Sequence, residues 1–60
     1  MNHVITKLTL DQALSASVDG SHVVMIDMDV FNSIHEIRYM TIEEIVNLDN
    51  SHDVIFLLIE

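Results

Sequence analysis

The sequence predicts a small two-layer α+β domain, in which a ferredoxin-like β-α-β-β-α-β chain places two short helices on one face of a sheet. Half of the 60 residues are apolar, with no proline and a single glycine, which is typical of a folded chain. The segment that begins at His3 is also closely repeated from His35 onward. We therefore predict one domain, residues 1–60, that contains an internal duplication with units of about 3–29 and 35–60.

Each predicted unit contains one helix with a recognisable start. Thr9 followed by Gln12, and Thr41 followed by Glu44, fit the capping box, in which the N-cap and N3 residues bind each other's backbone amides. The sequences DGSH and DNSH follow the two helices and place Gly20 and Asn50 where left-handed C-terminal caps are expected. The pattern predicts that both helices end there and lead into a strand.

Four apolar segments predict the strands, namely residues 3–8, 22–28, 34–40 and 54–59. The second and fourth are apolar at consecutive positions, so both sheet faces are apolar although the helices cover only one of them. A large uncovered apolar face indicates an interaction site. We expect a homodimer interface formed by Val23, Met25, Ile55, Leu57 and Ile59, or by their neighbours of the other parity.

Chain length supports the same expectation of self-association. A 60-residue domain buries a small core, and the absence of cysteine excludes disulfides and thiolate zinc sites as additional stabilisation. The alternative architecture is an intertwined dimer in which strands are exchanged between two chains.

The charge distribution restricts the class of partner. The chain has ten acidic residues and only two basic ones, Lys7 and Arg38, which gives a formal net charge of -8. Direct nucleic-acid binding depends on Lys and Arg that neutralise phosphates, so it is not expected, whereas the negative field favours encounter with a basic protein. The longest strongly apolar run, residues 54–59, is too short to span a bilayer, and we expect a cytoplasmic protein without membrane contact.

Four histidines are the candidate metal ligands. They are His3, His22, His35 and His52, and all fall at the beginnings of predicted strands. Two of them together with Asp19 or Asp49 provide a donor set that suits zinc or nickel. Their recurrence also follows from the repeat itself, and none has the spacing of a known metal motif. The sequence therefore predicts no bound metal and no cofactor.

The segment VVMIDMDVF, residues 23–31, ends an apolar strand with Asp27 and Asp29. Over these nine residues it resembles the nucleophile strand of haloacid-dehalogenase-type phosphotransferases, and the resemblance implies a nucleophilic Asp27 and a magnesium ion shared with Asp29. Enzymes of that kind need a much larger doubly wound domain and a distant lysine. We therefore interpret the two aspartates as a strand end and predict that the protein is not an enzyme.

The functional prediction is stoichiometric protein binding. We expect an inhibitor or regulator, of the kind that phages and mobile elements encode, whose carboxylates occupy a basic site on a nucleic-acid-processing enzyme as a nucleic-acid mimic. A small-ligand-binding or metal-binding regulatory domain that uses the strand-start histidines is the alternative. The expected partner-binding residues are Asp27, Asp29, Phe31, Glu36, Glu43, Glu44 and Asp53, with Phe31 as an aromatic anchor.

Overall fold

The computed structural model describes residues 4–31 and 33–60. It confirms a small α+β fold with a four-stranded antiparallel sheet and two helices. The elements are β1 (Ile5–Leu8), α1 (Leu10–Val18), β2 (His22–Asp27), β3 (Ser33–Glu36), a 3-10 turn (Ile37–Tyr39), α2 (Ile42–Ser51) and β4 (Val54–Ile59). Neither helix is long and apolar enough to cross a membrane.

The strand order is β1-β4-β2-β3, so β2 and β4 form the centre of the sheet. A ferredoxin-like sheet has its first and third strands at the centre, and the predicted order is therefore corrected. Strands β1 and β2 still run in one direction and β3 and β4 in the other, because each neighbouring pair is antiparallel. The two longest strands, β2 and β4, hold the most apolar segments, which explains why they are paired at the centre.

Both helices pack on the same face of the sheet. The core between the layers consists of Ala13, Val23, Met25, Ile37, Ile45 and Phe56. Phe56 lies in register between Leu8 of β1 and Met25 of β2, so it occupies the middle of the buried face. The opposite face of the sheet, which we call the open face, carries the side chains of the other parity.

Helix α1 begins and ends as the sequence predicts. Thr9 and Gln12 form the capping box, with the Gln12 amide donating to Thr9 Oγ1 at 3.3 Å and the Thr9 amide to Gln12 Oε1 at 3.0 Å. At the other end Gly20 has φ of 87°, and the amides of Gly20 and Ser21 donate to the carbonyls of Ser17 and Ala16. This pattern is the Schellman motif that a left-handed glycine permits.

Helix α2 starts with the same capping box but ends differently. Asn50 does not form a left-handed cap, because the helix continues to Ser51 and His52 is its extended C-terminal residue. The third strand is also shorter than predicted: residues 37–39 form a 3-10 turn that directs Ile37 into the core. Structural similarity between the two units is thus clearest at the helix starts.

The capping box of α2 gives a first test. Hydrogen bonds from Thr41, first the backbone amide and then the side chain, lower the pKa of Glu44 below its ordinary value of 4.5. We expect Thr41→Ala to lower the free energy of unfolding by about 1 kcal/mol and to raise the Glu44 pKa only in part, because the backbone amide of residue 41, which is the larger cause, is retained. Because the folded-state pKa of Glu44 is lowered, the contribution of its carboxylate is present above the unfolded pKa and lost as pH falls through the folded one, whereas the bond from the Glu44 amide to the Thr41 hydroxyl does not depend on that proton.

Urea unfolding and an NMR titration of Glu44 measure both effects. Thr41→Ser is the matched control, since it keeps the hydroxyl and should retain both the stability and the lowered Glu44 pKa. Equal stability of the Ala and Ser variants would contradict a stabilising cap.

Candidate functional site

The turn between β2 and β3 exposes the most prominent apolar side chain of the protein. Phe31 is 100% exposed and has φ of 51°, a left-handed conformation that bulky residues rarely adopt. The turn is closed by Ser33, whose amide and hydroxyl both donate to the Val30 carbonyl, at 3.0 and 2.6 Å. Phe31 therefore lies in the turn between β2 and β3 and points away from the fold.

Two carboxylates lie beside this turn. The backbone amide of Asp53, in the linker between α2 and β4, donates to Asp29 Oδ2 at 2.7 Å. The Met28 amide donates to the Asp53 carbonyl at 2.8 Å, so the turn and the linker are connected twice. Both aspartates are exposed. We call this surface, formed by Met28, Asp29, Val30, Phe31 and Asp53, the hairpin end.

Asp27 does not belong to that surface. It is only 3% exposed, and its side chain lies on the helix-covered face of the sheet, in register with Val54 and Ser33. Its Oδ2 lies 2.8 Å from His52 Nδ1, and its Oδ1 accepts a hydrogen bond from the Asp29 amide at 3.0 Å. Unlike the other predicted partner-binding residues, Asp27 is therefore buried, and its carboxylate lies beneath the end of α2.

The three remaining acidic candidates lie away from the hairpin end. Glu36 is on the open face, where its carboxylate lies 2.8 Å from Arg38 Nε and 3.5 Å from His22 Nε2. Glu43 and Glu44 are exposed in the first turn of α2, and the helix is about 15 Å long. Because α2 ends at His52, next to the hairpin end, these glutamates lie at the opposite end of the sheet.

Neither Lys nor Arg lies next to the hairpin end. The chain has only Lys7 and Arg38. Arg38 binds Glu36 and lies over the Tyr39 ring, 4.9 Å from its centroid. Lys7 is on the edge strand β1, two strands from β2 and thus about 10 Å away. The charges of Asp29 and Asp53 are therefore not compensated by a nearby Lys or Arg.

The open face is a second candidate surface. Two of the predicted interface residues, Val23 and Met25, lie instead in the core between the sheet and the helices, where they are 2% and 0% exposed. Strand register places the apolar side chains of the open face at Ile5, Val24, Ile26, Ile34, Ile55, Leu57 and Ile59. Val24 is covered by its neighbours, whereas Ile5 and Ile34 at the two edges are 61% and 67% exposed. The open face therefore combines the predicted residues Ile55, Leu57 and Ile59 of β4 with Val24 and Ile26 of β2, which are the neighbours of Val23 and Met25.

The side of the molecule that carries the helices has a smaller apolar feature. A groove between α1 and α2 is lined by Leu14, Val18, Ile37, Met40 and Ile45, among others. Val18 at its rim is 87% exposed. Apolar surface is therefore present on both sides of the domain.

The described histidines lie at three separate places in the fold. His3 lies outside the described residues. His22 is at the start of β2 beside Glu36, His35 of β3 pairs with Met25 of β2, and His52 lies at the end of α2 beside Asp27. The one group of potential metal ligands in residues 4–31 and 33–60 combines His52 with Asp27 and Asp29.

Comparisons of the chain with protein-family models, with curated proteins and with solved structures found no match.

Proposed function

We propose that the protein is a stoichiometric protein-binding module, whose hairpin end occupies a basic site on a nucleic-acid-processing enzyme. Phe31 supplies the aromatic anchor, and Asp29 and Asp53 supply negative charge where the enzyme would otherwise hold phosphates. Carboxylates at these positions attract the Lys and Arg side chains that line such a site.

The observation that carries this proposal is the fully exposed Phe31 in a left-handed backbone conformation. A phenylalanine in this conformation costs free energy and contributes nothing to the core. Burying its ring in a partner would contribute about 1.5–3 kcal/mol. An aromatic ring flanked by uncompensated carboxylates is suited to a pocket that is apolar at its floor and basic at its rim.

Self-association through the open face is the second part of the proposal. The helices use the other face, so two chains can pair through the open face and leave both hairpin ends accessible. A stable interface buries about 800 Å² per partner, roughly a fifth of the 4262 Å² of the chain.

A DNA-displacement assay tests the partner class. Purified nucleases, polymerases and recombinases are loaded with fluorescent DNA, and the protein is titrated in while anisotropy is followed. We expect stoichiometric release of DNA from at least one enzyme, with affinity that falls as salt rises. Phe31→Gly should lose this activity without loss of stability, because glycine tolerates the positive φ.

Two double variants with the same change in charge locate the contact. Asp29→Asn with Asp53→Asn removes two charges at the hairpin end, and Asp19→Asn with Glu43→Gln removes two exposed charges at the opposite end. We expect a loss of affinity of at least about 10-fold for the first and little change for the second. Equal losses would show that net charge alone is recognised, and full activity of Phe31→Gly would refute the anchor.

A further inference from the structure

Three side chains from two distant parts of the chain converge at one end of the sheet. Asp27 is the last residue of β2, Asp29 lies in the following turn, and His52 follows α2. One ligand atom from each lies within 4.8 Å of the others. A tetrahedral ion with bonds of 2.0–2.2 Å holds its ligands about 3.4 Å apart, so small rotations of the side chains suffice to bring the three to that spacing.

The contact between Asp27 and His52 is not an ordinary hydrogen bond. His52 Nδ1 is fully buried and makes no hydrogen bond to any described residue, although Asp27 Oδ2 is only 2.8 Å away. The two atoms are close enough but not aligned for an N–H···O bond. A buried nitrogen without a hydrogen bond is costly in a protein interior, and coordination of an ion by both atoms would satisfy it.

The carboxylates are held in position by backbone amides. Asp27 Oδ1 accepts from the Asp29 amide at 3.0 Å, which leaves Oδ2 directed at His52. Asp29 Oδ2 accepts from the Asp53 amide at 2.7 Å, which leaves Oδ1 without a hydrogen bond to any other described residue. Each carboxylate thus has one oxygen fixed and one available, the arrangement by which outer hydrogen bonds orient metal ligands.

We propose that Asp27, Asp29 and His52 form a binding site for a divalent transition-metal ion, with zinc as the representative. One imidazole and two carboxylates match the ligand preference of zinc, whereas magnesium and calcium favour oxygen ligands alone. Asp27 and the His52 nitrogen are buried while Asp29 is exposed, so the ion is reached from the solvent side through Asp29. A fourth position is left for water or a partner group.

The site would connect segments that make few contacts with the core. Helix α2 contributes one fully buried side chain, Ile45, and an ion bound by His52 would attach the end of this helix to β2 and to the hairpin turn. Metal binding of this kind contributes directly to folding stability in small domains that lack disulfides. The inference does not depend on the proposed partner, but it shares Asp29 with the hairpin end, and a bound ion would neutralise that carboxylate.

Titration calorimetry and thermal unfolding with zinc chloride test the proposal on protein first freed of metal with a chelator. We expect one zinc ion per chain and a rise in melting temperature with zinc concentration. His52→Ala and Asp29→Asn should each weaken zinc binding by at least about 10-fold. Asp29→Asn changes an exposed residue and keeps an oxygen for the Asp53 amide, so it separates loss of a ligand from loss of the fold.

His22→Ala is the matched control. His22 also lies beside a carboxylate, Glu36, but on the open face at the opposite end of β2, and its removal should leave zinc affinity unchanged. The proposal is overturned if the wild-type chain shows neither binding heat nor a higher melting temperature at millimolar zinc. It is equally overturned if zinc binding survives in His52→Ala and Asp29→Asn.

Discussion

Replacement of Phe56 by alanine is expected to remove most of the stability of the domain. Phe56 is 3% exposed at the centre of the buried sheet face, in register with Leu8 on one side and Met25 on the other. Truncation of a buried phenylalanine costs about 3–5 kcal/mol, because the cavity that remains does not collapse fully. A natural domain of this length has about 3–9 kcal/mol in total at about 0.05–0.15 kcal/mol per residue.

The chain itself contains the control for this experiment. Phe31→Ala removes the same atoms from a side chain that is 100% exposed. Alanine, like phenylalanine, has a Cβ, so the residue at this positive φ is not made more permissive. Urea unfolding followed by circular dichroism should show a large loss for Phe56→Ala and a change within about 0.5 kcal/mol for Phe31→Ala. Similar losses for the two variants would contradict the assignment of Phe31 to the surface and Phe56 to the core.

The parts of this fold that the sequence predicts are those with local causes. The capping boxes of Thr9 and Thr41 depend on residues three positions apart, and the left-handed Gly20 depends on a single missing Cβ. Asn50 shows the limit of such signals. It tolerates the left-handed conformation without requiring it, and α2 continues one residue further before His52 leaves the helix.

The parts that the sequence does not predict depend on contacts between distant residues. Strand order is one of them, since β4 separates β1 from β2 although it is last in the chain. The sheet face to which each residue of β2 points is another. Val23 and Val24 are both apolar, so alternation cannot indicate which of them faces the helices. Packing against the helices assigns Val23 to the core and leaves Val24 on the open face, in register with Leu57.

The proximity of Asp27 and His52 has the same origin. The two residues are distant in sequence, and they meet because Asp27 pairs with Val54, two residues after His52, across the central strands. The sequence presented each of them as part of another group: Asp27 with the exposed acids and His52 with the strand-start histidines. Their proximity follows from strand pairing, which a pattern in the sequence does not reveal.

The open face gives the second large effect. Leu57 lies at its centre, in register with Lys7 of β1 and Val24 of β2. We expect Leu57→Glu to convert the proposed dimer into a monomer, because a carboxylate buried in an apolar interface costs several kcal/mol. In the monomer the same carboxylate would lie beside Lys7 at the solvent-exposed surface. Light scattering should therefore report a mass that falls from twice the chain mass to 6.8 kDa.

Val18→Glu is the matched control, since it places the same charge on an exposed apolar residue at the rim of the groove between the helices. A dimer that persists in Val18→Glu and dissociates in Leu57→Glu identifies the open face as the interface. The reverse result would assign the interface to the groove. A dimer that resists both substitutions and exchanges subunits only on unfolding would indicate strand exchange. Exchanged strands make the same contacts as in a single chain, so such a dimer needs neither the open face nor the groove as an interface.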